Sequence, residues 1–151
     1  MDIATLQAEA AELVFARFDE TTAIELGMAI VTLARADGLP VVVNIRTADR
    51  TLFHAALPGA GGINDNWARR KSNLALMFRK ASLLVGLTNQ HKDQLLSVHG
   101  LDSADYAPQG GAVPIVVRGV GMVAVATVSG LPEVEDHALV ARAIRAQIGK
   151  G

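Results

Sequence analysis

Two pairs of β-rich runs, each joined by a connection too short for a helical crossover, constrain this chain more than anything else in it. Val41 to Thr47 and Thr51 to Leu57 are separated by Ala48-Asp49-Arg50 alone. The second pair opens at Gly110-Gly111-Ala112-Val113-Pro114-Ile115 and returns over Val120 to Val128. Hairpins predict antiparallel pairing. The closing strands are apolar on both alternating sets (Val120, Met122, Ala124, Ala126 and Val123, Val125), so they belong at the centre of a sheet covered on both faces.

Helical periodicity fills the remainder. Ile3, Leu6, Ala10, Leu13 and Arg17 predict an amphipathic helix over 3–18. Thr22-x-x-Glu25 has capping-box form and opens a second helix, which Asp37-Gly38 closes before Pro40. Its apolar residues, Ile24, Leu26, Met28, Ile30, Val31 and Leu33, occupy more than one face, which calls for burial against the sheet and against either the first helix or another subunit. Asn64 or Asp65 can cap a helix to about Lys80 with Trp67, Leu74, Met77, Phe78 and Ala81 inward. Ser82 caps the next, with a stripe of Leu84, Leu87, His91, Leu95 and Val98 and Gly100 at its close, and the last helix runs from about Glu133 to Ile148. The order ααββααββα gives an α+β class with an antiparallel sheet flanked by helices.

Composition narrows the function classes. Half of the 151 residues are apolar, which suits a single domain over 1–151. A net charge of −1 supplies no field for nucleic acid or an anionic membrane, and Trp67 and Tyr106 are too few aromatics for a stacking platform. Without cysteine there is no disulfide, iron–sulfur ligation or thiol nucleophile. Met1-Asp2-Ile3-Ala4 lacks a basic targeting region and no apolar run nears the roughly 20 residues of a membrane span, so the expected location is cytoplasmic.

Two places concentrate chemistry. Pro58-Gly59-Ala60-Gly61-Gly62-Ile63-Asn64-Asp65 is a glycine-rich loop leading into a helix that carries Arg69-Arg70-Lys71. Either it is an anion site made of backbone N–H groups, helix N-terminus and cations, or it is a mobile loop with a solvated basic face. Val128-Ser129-Gly130-Leu131-Pro132 turns into the helix bearing Asp136-His137. His137 precedes Val140, Ala141 and Ile144 at the end of the buried face, and a helix N-terminus keeps an imidazole neutral, able to ligate or accept a proton. The alternative is an acidic first turn matched to the helix dipole around a packed histidine. His54, His91, His99 and His137 form no metal-binding spacing, and Ser129 lacks a nucleophile-elbow pattern, so metal ligands and catalytic residues stay unassigned.

The segments Asn64 to Asn73, Asp105-Tyr106-Ala107 through Ile115, and Val128 through His137 together resemble an uncharacterised (UPF-type) branch of the haem-degrading-domain superfamily, which includes GlcG-like and HbpS-like proteins. The matching positions are Trp67, Arg70, Lys71, Asn73, Tyr106, Gly110, Gly111, Pro114, Ser129, Gly130, Asp136 and His137. The resemblance implies a profilin-like or PAS-like fold, homo-oligomers, and haem as a cofactor to test, with His137 as the haem-ligand candidate. The expected function is an oligomeric small-ligand-binding protein. Arg70 and Lys71 would neutralise haem or another acidic small molecule, and the Ser129-Gly130 turn with His137 would close the cleft. Alternatives are a haem-degrading enzyme and a protein-interaction scaffold without a small ligand.

Overall fold

The computed structural model describes residues 1–150. Its elements are α1 (Ile3–Glu12), β1 (Val14–Phe15), α2 (Glu20–Ala36), β2 (Val42–Arg46), β3 (Thr51–Ala56), α3 (Gly62–Phe78), α4 (Ser82–Lys92), a 3-10 turn (Leu96–His99), β4 (Ala112–Val117), β5 (Gly121–Ser129) and α5 (Glu133–Lys150). Both hairpins are present, with Asn44 opposite His54 and Ile115 opposite Ala124. They join antiparallel through β2 and β5, where Asn44 meets Thr127. The strand order β1-β4-β5-β2-β3 puts β5 at the centre with β4 beside it, as their two-sided apolar pattern requires.

The fold is α+β, but the sheet is mixed. Val14 and Phe15 pair in parallel with Val116 and Val117. This corrects the helix expected over 3–18: α1 ends at Glu12, and Leu13 leaves helical geometry at φ −83° and ψ 67°. Leu13 and Phe15, two residues apart, then bury together in the main core. That core lies on the α2/α5 face of the sheet, where Leu26, Ile30, Val140 and Ile144 cover Val43, Ile45, Ile115 and Ala126. The other face takes α3 and α4, with Ala75 against Ala112 and Val125, and α1 packs on α4 through Leu6, Leu83 and Leu84.

Local chemistry moved several helix ends. The second helix starts earlier than Thr22: the Asp19 carboxylate accepts from Thr22 N at 3.0 Å and Thr22 Oγ1 accepts from Asp19 N at 3.3 Å. These bonds to Thr22 hold the Asp19 carboxyl below its ordinary 3.8. A folded-state pKa below the unfolded one contributes stability above that ordinary value and loses it as pH falls through the lower, folded value. Asp19→Ala is therefore expected to lower the thermal midpoint at neutral pH while Asp19→Ser largely retains it, and the wild-type advantage should shrink below pH 3.8 in circular-dichroism melts.

In α3 the inward stripe is Ala68, Lys71, Ser72, Leu74 and Ala75, and Met77 is exposed. Gly61 takes the cap position, and Asn64 Oδ1 reaches back to accept its N–H at 3.0 Å. Ser82 does not cap α4; its hydroxyl accepts from Ala112 N at 3.0 Å and ties the helix to β4. Asp93 in the left-handed region ends α4, so His91, Leu95 and Val98 are exposed and not aligned on one buried stripe, while Gly100 closes the 3-10 turn. Among the described residues no helix is long and apolar enough to cross a membrane.

Candidate functional site

The three motif segments converge on one buried ion pair. Lys71 on α3 donates from Nζ to Gly110 O at 2.9 Å, Val128 O at 3.1 Å and Asp136 Oδ2 at 3.0 Å. Three acceptors use all three donors of an ammonium. The second Asp136 oxygen accepts from Leu131 N at 2.9 Å, fixing the β5–α5 turn. Burial pushes the Lys71 amine down and the Asp136 carboxyl up, and their mutual attraction opposes both shifts. The paired glycines make room for this arrangement. A Cβ on Gly110 would lie 2.4 Å from Glu133 O, and one on Gly111, at φ +140°, would lie 2.4 Å from Val128 O and 2.6 Å from Lys71 Nζ.

Beside the pair opens a cleft of about 400 Å³ lined by Asn64, Trp67, Lys71, Gln109, Ser129, Gly130, Leu131, Glu133 and Asp136. Five of the expected residues therefore meet: Trp67, Lys71, Ser129, Gly130 and Asp136. Gly110 and Gly111 stand behind Lys71. Arg70, Asn73 and Tyr106 do other work. The Arg70 guanidinium lies 4.4 Å from the centre of the Trp67 ring and donates to Ser103 O at 2.9 Å. Asn73 donates to Asp105 O at 2.9 Å, and Tyr106 packs against the cluster of Leu74, Val85 and Leu96. These contacts fasten residues 102–107 onto α3. Arg69 completes the clasp through Asp105 at 3.1 Å and Ala104 O at 2.9 Å. Each cation of the Arg69-Arg70-Lys71 cluster thus has an intramolecular partner, and of the glycine-rich loop only Asn64 reaches the cleft.

His137 points elsewhere. One residue beyond Asp136 on a helix is about 100° further round the axis. Its Nε2 lies 2.6 Å from Glu9 Oε1 on α1, its Nδ1 is buried with no partner among the described residues, and it lines a separate cavity of about 80 Å³. Ser129 and His137 consequently face different spaces. Glu9 carries no local signal in the sequence, because its role rests on a residue 128 positions away. Gln109 and Glu133 are also unmarked as cleft residues, whereas Asn64 is marked within the glycine-rich loop and as a candidate helix cap; Glu133 reads from sequence as a dipole-matched first turn, and only the approach of α3 gives it a second role.

The fit of haem can be tested on these spaces. Haem requires an axial ligand beside an apolar slot that admits the macrocycle. The His137 cavity, about 80 Å³, is far below the roughly 300–1,000 Å³ of typical ligand pockets, and Nε2 is already held by Glu9. The cleft at Trp67 and a larger groove of about 840 Å³ beside Asn89 contain no histidine, methionine or tyrosine. Within a single chain, none of these three spaces fits the group.

Comparison with known proteins gives a consistent picture. The family model for the haem degrading protein HbpS-like matches residues 18–145. A UPF0303 protein of Mesorhizobium japonicum is 42% identical over 149 residues, covering 98% of this chain and 89% of that protein. The crystal structure of the Ybr137w protein superposes with a TM-score of 0.91 at 27% identity, covering 99% of this chain and 89% of that one. A crystal structure of a PduOC:heme complex superposes with a TM-score of 0.72 at 21% identity, covering 87% and 94%, a likeness of fold. Residues 18–145 include every segment that builds the cleft, while Glu9, the partner of His137, lies outside them. By sequence and by fold, this chain belongs to the HbpS-like family of haem-degrading proteins.

Proposed function

We propose that the chain is a small-ligand-binding module that works as a homo-oligomer, with the cleft at Trp67, Ser129 and Asp136 as its site. The observation that supports this reading is the convergence of three distant segments on a cleft of about 400 Å³. Because Asp136 neutralises Lys71, recognition falls to the Trp67 ring, the carboxamides of Asn64 and Gln109 and the Ser129 hydroxyl. Such a set suits a small polar molecule. Glu133 adds negative charge, which disfavours a carboxylate ligand; this weighs against haem propionates and against the acidic ligands expected from the basic cluster. Self-association draws support from Ile24 and Met28 on α2, which are 52% and 49% exposed.

Trp67 is the only tryptophan, so its emission reports directly on the cleft. Succinamide is expected to change that emission saturably, its diacid counterpart succinate more weakly, and Gln109→Ala to weaken succinamide binding about tenfold. Failure of both probes sinks the cleft; stronger binding of succinate restores an acidic ligand. Haemin is expected to show no His137-dependent Soret shift. A shift lost in His137→Ala, or haem loss under a reductant faster than without protein, would replace this reading with haem binding or haem degradation. Native mass spectrometry should show a multiple of the 15.8 kDa chain; a single-chain mass would remove the oligomer.

A further inference from the structure

The cleft beside Lys71 and Asp136 holds one polar group that the fold leaves unused. Of the buried hydroxyls, those of Ser72 and Thr127 lie 2.8 Å apart and bond to each other, and that of Ser82 accepts from Ala112 N at 3.0 Å. Ser129 is 3% exposed, and its hydroxyl has no hydrogen-bond partner among the described residues. Nor is it sealed: the polar atoms both sealed and unpartnered are Asn44 Oδ1, Asn89 Nδ2 and His137 Nδ1. Alternation along β5 gives its direction. Residues two apart on a strand share a face, so Ser129 points with Thr127 toward α3, the helix that brings Asn64, Trp67 and Lys71 to the cleft. A buried hydroxyl that opens on a cleft calls for a partner there.

The groups around it both give and take. Glu133 lines the cleft with a carboxylate that takes part in no ion pair among the described residues. Asn64 Oδ1 is engaged by Gly61 N, which leaves its Nδ2 to donate, and the Gln109 carboxamide offers a donor and an acceptor. Burial drives the Lys71 amine down while Asp136, and then Glu133, draw it back up, so part of the Glu133 charge is already answered inside the fold. A carboxylate ligand could only accept, and it would meet Glu133. An ammonium could only donate, and it would leave the amide donors of Asn64 and Gln109 unmet. A hydroxyl does both. Arg70, 4.4 Å from the centre of the Trp67 ring, does not line the cleft, so the ring surface that borders it is free of the guanidinium. The negative face of such a ring attracts the weakly positive C–H bonds of a saturated carbon ring.

Resting on the reading of this cleft as the ligand site, we infer that its ligand is an uncharged cyclic polyol, of which a pyranose sugar is the type. The carbon ring lies on Trp67, adjacent hydroxyls donate to the Glu133 carboxylate, and a further hydroxyl pairs with Ser129 while Asn64 and Gln109 donate to its oxygens. The cleft, about 400 Å³, falls within the roughly 300–1,000 Å³ of small-ligand sites, ample for one such ring.

Titrations of the full chain with methyl β-D-glucopyranoside and methyl β-D-galactopyranoside, followed by NMR at the Trp67 indole N–H, test the assignment. At least one should give a saturable shift. Its per-O-methylated form keeps the ring and every oxygen but has no hydroxyl to donate, and should bind at least about tenfold more weakly. Ser129→Ala and Glu133→Gln should each weaken the pyranoside by about tenfold. Ser129→Ala removes no hydrogen bond within the chain, so its thermal midpoint should match the wild type and the loss reads on binding alone. Succinamide, read at the same indole, separates this proposal from the cleft itself. Saturation by succinamide and by neither pyranoside leaves the cleft and overturns the polyol; saturation by none of the three overturns both. Equal affinity for the per-O-methylated form, or wild-type affinity in both variants, would also overturn it.

Discussion

Lys71→Met is expected to lower the unfolding free energy by about 3–5 kcal/mol, read as a shift of the urea midpoint with little change in slope. The substitution leaves the Asp136 carboxylate buried without its counter-charge and takes the donor from Gly110 O and Val128 O. An isolated buried charge costs more than a missing hydrogen bond, which is why removing one partner exceeds the net worth of the pair. Lys71→Met/Asp136→Leu should recover a good part of the loss, since replacing both partners with apolar groups of similar volume is often close to neutral. Recovery stays incomplete because Gly110 O, Val128 O and Leu131 N still lack their partners. A double-mutant cycle giving a coupling below about 0.5 kcal/mol would contradict the geometry described for this pair. The same variants should weaken any ligand of the Trp67 cleft, whose floor the pair forms.

The second large effect is expected at Gly130. Its φ is +147°, and an added Cβ would stand 2.4 Å from Pro40 O and 3.0 Å from Val41 Cα. Both obstacles are backbone, so no rotamer change relieves them; the start of β2 or the β5–α5 turn has to move. Strain and overpacking together put Gly130→Ala on the order of 3–5 kcal/mol, or roughly 6–20 °C in thermal midpoint for a chain of this size. Gly38→Ala is the control. Its φ is +62° with nothing within 4 Å of the added Cβ, so only the left-handed conformational cost of about 1–2 kcal/mol applies. Equal midpoints for the two variants would mean that the close approach of Gly130 to Pro40 is not rigid.

Hairpins and helix types were readable from sequence because their signals are local. Short connections fix β2–β3 and β4–β5, and two-sided apolar patterns put β5 inside. The parallel strand β1 was not readable: Val14 and Phe15 form a strand only because Val116 and Val117 lie beside them, and Leu13 fits a helical spacing equally well. The α2 cap shows how a generic motif misleads. Thr22 belongs to a capping box as its third helical residue, with Asp19 as the cap. In the site, the clustering of Trp67, Ser129 and Asp136 followed from the three motif segments, but charge pairing did not. Lys71 and Asp136 are 65 residues apart, and a basic triplet in sequence gives no warning that Asp136, Asp105 and Ser103 O will engage its members. His137 was correctly placed on the buried face of the last helix, yet Glu9, the partner that holds it away from the cleft, lies 128 residues earlier on α1.

The parallel pairing of β1 with β4 has a kinetic consequence. Antiparallel hairpins close short loops early, whereas Val14 cannot meet Val116 until most of the chain between them is in place. The Glu9 to His137 bond spans 128 residues and shares the same delay. The first fifteen residues are therefore expected to dock late in folding, onto a sheet whose other four strands pair with one another without them. In the folded state β1 is a two-residue edge strand paired with β4 alone, so local release of α1 and β1 is the opening expected to admit solvent to the buried imidazole before global unfolding.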